Sequence, residues 1–156
     1  MIVVTVGSSN FQFDRLVRGV EAIETDEELL VQHGPSSVRP KQAKCVPYLA
    51  FDELVEAVRN ARVVITHAGV GSVLVAQMNG KKPIVVPRLA RYGEVVDDHQ
   101  LHFAERLARD DAVTLVSDPA ELTHALELPV ERGSSELDAG GALEADLRRY
   151  LQAVCG

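Results

Sequence analysis

The hydrophobic positions of this chain switch repeatedly between two periods. Short, near-continuous runs such as Ile2-Val3-Val4-Thr5-Val6, Val63-Val64-Ile65 and Ile84-Val85-Val86 have the pattern of strands covered on both faces. Between them, apolar residues recur three and four apart. Phe13, Leu16, Val17, Val20 and Ile23 form one helical face, and Leu101, Ala104, Leu107 and Ala108 another. The pattern predicts strands at 2–6, 28–32, 43–46, 62–66, 83–86 and 112–116. Helices are expected along 13–23, at 51–59, 72–79 and 98–109, and from Asp118 onward. Gly80 follows the third helix, as glycine commonly does just beyond a helix C-terminus. Asp118-Pro119-Ala120-Glu121 carries three helix-start signals: an Asp N-cap, Pro at N1 and Glu at N3.

The order β-α-β-β-α-β-α-β-α-β-α, with a further helix at the end, is that of an α/β protein. Its expected architecture is a Rossmann-like, doubly wound parallel sheet. Ligands of such sheets bind at the carboxyl ends of the strands. The loops at 7–10, 33–35, 67–72 and 87–98 are therefore expected to converge. Residues 1–126 make up the α/β domain, and 127–138 read as a link containing Pro129, Gly133, Ser134 and Ser135. Residues 139–156 read as an amphipathic helix through Leu143, Leu147, Tyr150, Leu151 and Val154. That stripe either packs back on its own sheet or docks on a partner.

Composition narrows the function classes. The chain has 156 residues, enough for one domain with a sizeable core, and its formal net charge is −7. That balance argues against a nucleic-acid binder and against a polybasic membrane anchor. No run approaches the ~18 apolar residues of a membrane span. Met1 leads straight into a strand pattern, so no signal peptide is expected. Cys45 and Cys155 form no CxxC, which fits a reducing cytoplasm.

The chemistry concentrates at Thr66-His67-Ala68-Gly69-Val70-Gly71-Ser72, where a strand ends, two glycines turn the chain and a helix begins near Gly71-Ser72. Bare N–H groups and the positive end of a helix dipole meet there, as in phosphate sites. The bland reading is a tight turn and nothing more. Gly69-Val70-Gly71-Ser72-Val73-Leu74 misses the dinucleotide fingerprint at its third glycine and follows the fourth strand instead of the first. Gly7-Ser8-Ser9-Asn10 lacks the Gly-Lys-Ser/Thr of a Walker loop. An NADP-type oxidoreductase, suggested by Gly69-Val70-Gly71 and Arg88, stays open as an alternative.

Three segments together carry a resemblance: the run from Val6 through Gly7-Ser8-Ser9-Asn10 to Leu16, His67-Ala68-Gly69-Val70-Gly71-Ser72, and Asp97-Asp98-His99-Gln100. From Met1 to about Leu122 the chain resembles the C-terminal, donor-binding half of glycosyltransferase family 28. More narrowly it is similar to the small cytosolic subunit of two-component UDP-sugar transferases. These include bacterial exopolysaccharide proteins of the PssE/EpsE type and the eukaryotic UDP-N-acetylglucosamine transferase subunit. The resemblance implies one half of a GT-B glycosyltransferase, with the acceptor half supplied by a membrane-anchored partner. It implies an inverting transfer from a UDP-sugar to a lipid-diphosphate-linked saccharide on the cytoplasmic face of a membrane.

Carried over by position, the resemblance places Gly7, Ser8, Ser9 and Asn10 at the mouth of the cleft. Gly69, Gly71 and Ser72 face the diphosphate, with His67, Ala68 and Val70 beside them. Asp98, His99 and Gln100 read sugar hydroxyls. Relatives of the MurG type often place a Glu against the ribose where Val75 stands here, which leaves nucleotide choice open. UDP-sugar is a substrate, and the resemblance calls for no cofactor and no metal. His99 and His102 are spaced as metal ligands can be, without a supporting cluster.

On the residues alone, Arg88 and Arg91 are either positive charge for the diphosphate or solvated loop charge. Lys81-Lys82 reads as an exposed turn, and His124 as a surface histidine. A general base is sought among His33, His67 and His99, or on the partner. A non-catalytic nucleotide-sugar-binding module is the second function class consistent with the chain.

Overall fold

The computed structural model describes residues 1–129. The linker and C-terminal helix expected at 130–156 lie outside the described residues. Six strands alternate with five helices: β1 (Ile2–Thr5), α1 (Asp14–Glu21), β2 (Leu29–Gln32), β3 (Ala43–Val46), α2 (Phe51–Asn60), β4 (Val63–Thr66), α3 (Val70–Met78), β5 (Ile84–Val85), α4 (His99–Arg109), β6 (Thr114–Leu115) and α5 (Leu122–Glu127). Every pairing is parallel, and the spatial order is β3-β2-β1-β4-β5-β6. This is the Rossmann-like sheet that the alternating pattern predicts.

Strand alternation divides the core. Ile2, Val4 and Val6 point to one face and pack with Leu16, Val17 and Val20 of α1 and with Leu122 and Ala125 of α5. Val3 points to the other face and meets Val58 of α2 and Val75 and Ala76 of α3. Farther along that face Val85 packs with Val73 of α3 and Ala104 of α4. All four residues of β1 and of β4 are buried, which is why both read as unbroken apolar runs.

The order 3-2-1-4-5-6 places the topological switch between β1 and β4. The chain leaving β1 enters α1 on one face of the sheet. The chain leaving β4 enters α3 on the other. Their two loops therefore diverge and leave a crevice at the carboxyl end of the sheet.

Local differences from the sequence pattern have simple causes. The third helix starts at Val70, two residues earlier than expected, because Gly69 (φ −75°, ψ 131°) already serves as N-cap. Gly71 falls in the first turn, where its low helix propensity weighs least. Lys81 and Lys82 do not form an exposed turn. The Gly80 turn (φ +70°) folds them back, so Lys81 Nζ donates to the Ala61 carbonyl and Lys82 Nζ pairs with Asp111 (2.7 Å). They border a second cavity, of about 520 Å³, with Gly80, Asp111 and Thr114. Asp118 does cap its turn, accepting the Ala120 N–H at 3.0 Å, and His124 is exposed as expected. Among the described residues, no helix is long and apolar enough to cross a membrane.

Candidate functional site

The crevice between β1 and β4 holds a cleft of about 740 Å³. Gly7, Ser8, Ser9 and Asn10 line one lip, and His67, Gly69, Gly71 and Ser72 the other. A wall of Tyr48, Leu49, Phe51, Leu54 and Val75 closes the far side. The cleft thus joins a polar, glycine-rich end to an apolar end. Among the described residues that line it, none carries a formal charge.

The Gly7 loop is pinned from below. Thr5 Oγ1 donates to Gln32 Oε1 (2.6 Å), and the Gly7 N–H meets both Thr5 Oγ1 and Gln32 Oε1 at 3.2 Å. The Gln32 amide donates to the carbonyls of Gly7 (3.1 Å) and Pro47 (2.9 Å). One side chain at the end of β2 therefore ties the loop after β1 to the loop after β3. Gln32 is buried, and neither its type nor its position singles it out in the sequence. Ser9 Oγ accepts the Phe11 N–H (3.2 Å), leaving its hydroxyl hydrogen available to the cleft.

The opposite lip is the N-terminus of α3. The Val73 N–H already bonds the Gly69 carbonyl (3.1 Å), whereas the N–H groups of Val70, Gly71 and Ser72 have no carbonyl one turn earlier in the helix. No side chain caps this end. With the helix dipole behind them, these donors form a concavity whose polarity suits an anion. Ala68 is buried beneath the lip and Val70 is exposed outside it.

His67 forms the floor between the lips. Its ring is almost fully buried, with Nε2 3.2 Å from Ser72 Oγ. Burial and the neighbouring Arg88 guanidinium push its pKa down to about 4, so the imidazole is neutral near pH 7. A base that weak removes little of a sugar hydroxyl's proton, whereas a neutral ring is a good fixed hydrogen-bonding group. His33 is buried behind the Gly7 loop with Nδ1 2.7 Å from the Gly34 carbonyl, outside the cleft lining. His99 is exposed and paired with Asp97 (2.6 Å).

Two of the four expected loops depart from expectation. The 33–35 turn packs behind Gly7, and its place in the cleft wall is taken by Tyr48 and Leu49 after β3. The 87–98 loop reaches the Gly7 loop from the flank. Arg88, expected beside the diphosphate, is wholly buried. It donates to the carbonyls of Val6 (2.9 Å), Phe11 (3.0 Å), Gln12 (3.2 Å) and Glu94 (3.1 Å), and stacks 4.5 Å from the centre of the Phe13 ring. Its positive charge is spent on carbonyl dipoles. Arg91 stacks on Tyr92 and does not line the cleft.

Glu94 completes the clamp. It pairs with Arg15 through both carboxylate oxygens, each at 2.9 Å, and accepts the Leu89 N–H at 3.0 Å. Asp98 Oδ1 accepts the Ala90 N–H (2.9 Å) and Gln100 Oε1 the Arg88 N–H (3.3 Å). Asp98, His99 and Gln100 thus stand at the start of α4, beyond the residues that line the cleft.

Comparison with known proteins bears on the family and the fold. The family model described as "Glycosyltransferase family 28 C-terminal domain" matches residues 1–137. A stretch of 58 residues is 43% identical to the UDP-N-acetylglucosamine transferase subunit ALG13 of Yarrowia lipolytica, covering 37% of this chain and 28% of that protein. Among solved structures, MurG of Acinetobacter baumannii superposes with a TM-score of 0.57 at 21% identity, over 80% of this chain and 39% of that one. CalG4, the calicheamicin glycosyltransferase, superposes with a TM-score of 0.63 at 17% identity, over 99% of this chain and 44% of that one. The chain spans less than half the length of each of these three proteins, and at such identities the two structures speak for the fold alone. With the family match running over most of its length, this chain belongs to the glycosyltransferase family 28 C-terminal domain family.

Proposed function

We propose that this chain is the donor-binding catalytic subunit of a two-component glycosyltransferase. It moves a sugar from a UDP-sugar to a lipid-diphosphate-linked saccharide in polysaccharide or glycolipid synthesis. The observation that carries the reading is the two-ended, uncharged cleft at the switch point. Its α3 end offers backbone and hydroxyl donors to a diphosphate. Its Tyr48, Leu49, Phe51, Leu54 and Val75 wall offers apolar surface to a nucleoside. Both chemistries belong to one nucleoside diphosphate, with the sugar directed toward Asp98, His99 and Gln100 at the start of α4.

In this reading the acceptor oxygen attacks the anomeric carbon from the face opposite UDP, so the configuration inverts. The bond to the β-phosphate oxygen breaks, and the charge left there is met by the α3 N-terminus, the Ser72 hydroxyl and the lip at Gly7-Asn10. These donors are fixed before the reaction, so stabilising the charge calls for no metal. The base that accepts the hydroxyl proton comes with the acceptor half. That half is a membrane-anchored partner, which also recruits this cytoplasmic chain to the cytoplasmic face of the membrane. The similarity to the Yarrowia UDP-N-acetylglucosamine transferase subunit supports a two-part arrangement.

Calorimetry of the purified chain with UDP, uridine and NADPH tests the site. Binding of UDP in preference to uridine is expected. A response to NADPH alone would replace the reading by a dehydrogenase. Transfer of label from UDP-N-acetylglucosamine or UDP-glucuronic acid in membranes, with and without a co-expressed acceptor half and with EDTA added, tests catalysis. Binding without transfer under any of these conditions would leave a regulatory module.

A further inference from the structure

We infer that the exposed side chains of Phe11, Tyr92 and Val96 form a docking surface for the acceptor half, beside the end of the cleft to which the sugar is directed. The inference rests on the two-component reading and adds to it the face on which the partner sits.

Among the described residues, the large apolar side chains left exposed are Phe11, Tyr48, Val70, Tyr92, Val96 and Leu128. All but Leu128 stand at the carboxyl end of the sheet, on the segments that follow β1, β3, β4 and β5. Tyr48 lines the cleft, so a nucleoside accounts for its exposure. Phe11, Tyr92 and Val96 do not line it, and a ligand held there leaves them uncovered. Single apolar residues scattered over a surface need no explanation, whereas several on adjoining loops mark a place where something binds.

The fold places these loops side by side and holds them still. Arg88 Nη1 donates to the carbonyls of Phe11 (3.0 Å) and Glu94 (3.1 Å). The backbone at Phe11 therefore lies beside that of Glu94, two residues from both Tyr92 and Val96. The Tyr92 ring lies against two guanidinium groups, Arg15 at 5.1 Å and Arg91 at 4.9 Å from its centre. Arg15 is itself fixed by Glu94 and by the carbonyls of Pro87 (2.7 Å) and Ser117 (3.1 Å). Much of the ordering that binding would otherwise impose is thus already made. Tyrosine and arginine are also the residues in which interface energy concentrates.

Charge and position choose the occupant. Asp97 and Asp98 follow Val96 directly and are exposed, so an anionic bilayer is repelled from this face. A second copy of this chain would bring a further net charge of −7 against it. In the proposed site the sugar is directed toward Asp98, His99 and Gln100, and Asp98 is only two residues from Val96. A protein seated on Phe11, Tyr92 and Val96 therefore stands where an acceptor has to enter. Its matching face is an apolar socket edged by a carboxylate opposite Arg91.

The test uses the full chain co-expressed in membranes with an acceptor half. A photoreactive benzoylphenylalanine at position 92 or 96 should cross-link to the acceptor half. The same probe in place of Lys41, exposed at the amino end of β3, should not. Val96→Asp and Tyr92→Ala should each weaken association by about thirtyfold, the scale of a central interface side chain. Transfer of label should return when the acceptor half is supplied in excess. Val96 is 79% exposed, so its substitution leaves the fold intact. UDP binding to the isolated chain should be unchanged in both variants. Cross-links to a second copy or to lipid overturn the docking surface, as does an unchanged dependence of transfer on acceptor-half concentration in both variants. Loss of UDP binding in Val96→Asp would overturn it too, by placing that residue in the donor site. If no acceptor half supports transfer by the wild type, the two-component reading fails and the docking surface falls with it. Transfer without cross-linking from positions 92 and 96 removes the docking surface alone.

Discussion

A methyl group placed on Gly7 would stand 2.2 Å from Nε2 of His67, so the glycine and the imidazole adjoin with no space between them. Gly69 closes on the ring from the other lip, where an added Cβ would lie 2.0 Å from Cε1. The two glycines of the two loops are therefore spacers for one histidine as well as turn-makers. The ring they hold joins the end of β1 to the end of β4, across the switch point where the cleft opens.

The backbone at Gly69 is ordinary (φ −75°, ψ 131°), so alanine meets no conformational resistance there. Its whole cost is the collision with His67. Gly69→Ala should destabilise the chain by about 1–3 kcal/mol, the usual penalty for overpacking. His67→Ala in the same chain should recover most of that loss, which urea denaturation of the two single variants and the double variant will show. Gly7→Ala should not be rescued in this way, because its φ of +76° resists a side chain independently.

Arg88 supports four carbonyls from three chain segments. Arg88→Met should cost about 3 kcal/mol or more, since four carbonyls lose their buried donor and Glu94 loses a neighbouring positive charge. Arg88→Lys should keep most of that loss, because an ammonium cannot span the positions a guanidinium reaches. Arg91→Ala, on the exposed side of the same loop, should change stability by no more than about 0.5 kcal/mol. Chemical denaturation midpoints at constant slope give the comparison.

His67 has a folded-state pKa of about 4 against an ordinary 6.5, so between those values the unfolded chain binds the extra proton. Stability tied to the neutral ring is complete above about pH 6.5 and is lost as the pH falls toward 4. The unfolding free energy of the wild type should drop by up to about 3 kcal/mol more than that of His67→Gln over this window. Parallel profiles for the two proteins would contradict the burial of a neutral imidazole. His33, also depressed by burial, contributes in the same direction in both proteins and cancels from the comparison.

Tyr48 is half exposed and forms part of the apolar wall. If the nucleoside lies there, Tyr48→Ala should weaken uridine and UDP alike by about tenfold, the scale of one base-on-ring contact. Ser72→Ala should weaken UDP only. Calorimetry with the two ligands separates the two ends of the cleft, and an unchanged affinity for uridine in Tyr48→Ala would remove the nucleoside from that wall.

Much of the fold was legible in the sequence because it rests on local periodicity. The runs at 2–6 and 62–66 are unbroken because both strands are covered on both faces, and the three-and-four spacing after Phe13 is α1. The Gly7 and Gly69-Val70-Gly71 turns were also legible, since glycines at strand ends leave few conformational alternatives. Tyr48 and Leu49 gave no such sign: an apolar pair after a strand looks the same whether it enters a core or a cleft. Gln32 and Glu94 were equally silent. Each acts through partners far along the chain, Thr5 and Gly7 for one and Arg15 for the other.

Arg88 shows where reading by residue type stops. Charge at the end of a strand, near a glycine loop, suggests an anion partner. The fold instead turns it inward onto four carbonyls, three of them 76 to 82 residues away, so that the net −7 chain keeps an uncharged cleft. Apolar periodicity and glycine placement determined the strands, the helices and the two loops able to meet a phosphate, because those features depend on neighbours in sequence. The order β3-β2-β1-β4-β5-β6 decided which loops face each other, which wall closes the cleft and which polar groups meet. Those relations depend on contacts between strand ends that only the assembled sheet brings within hydrogen-bond reach.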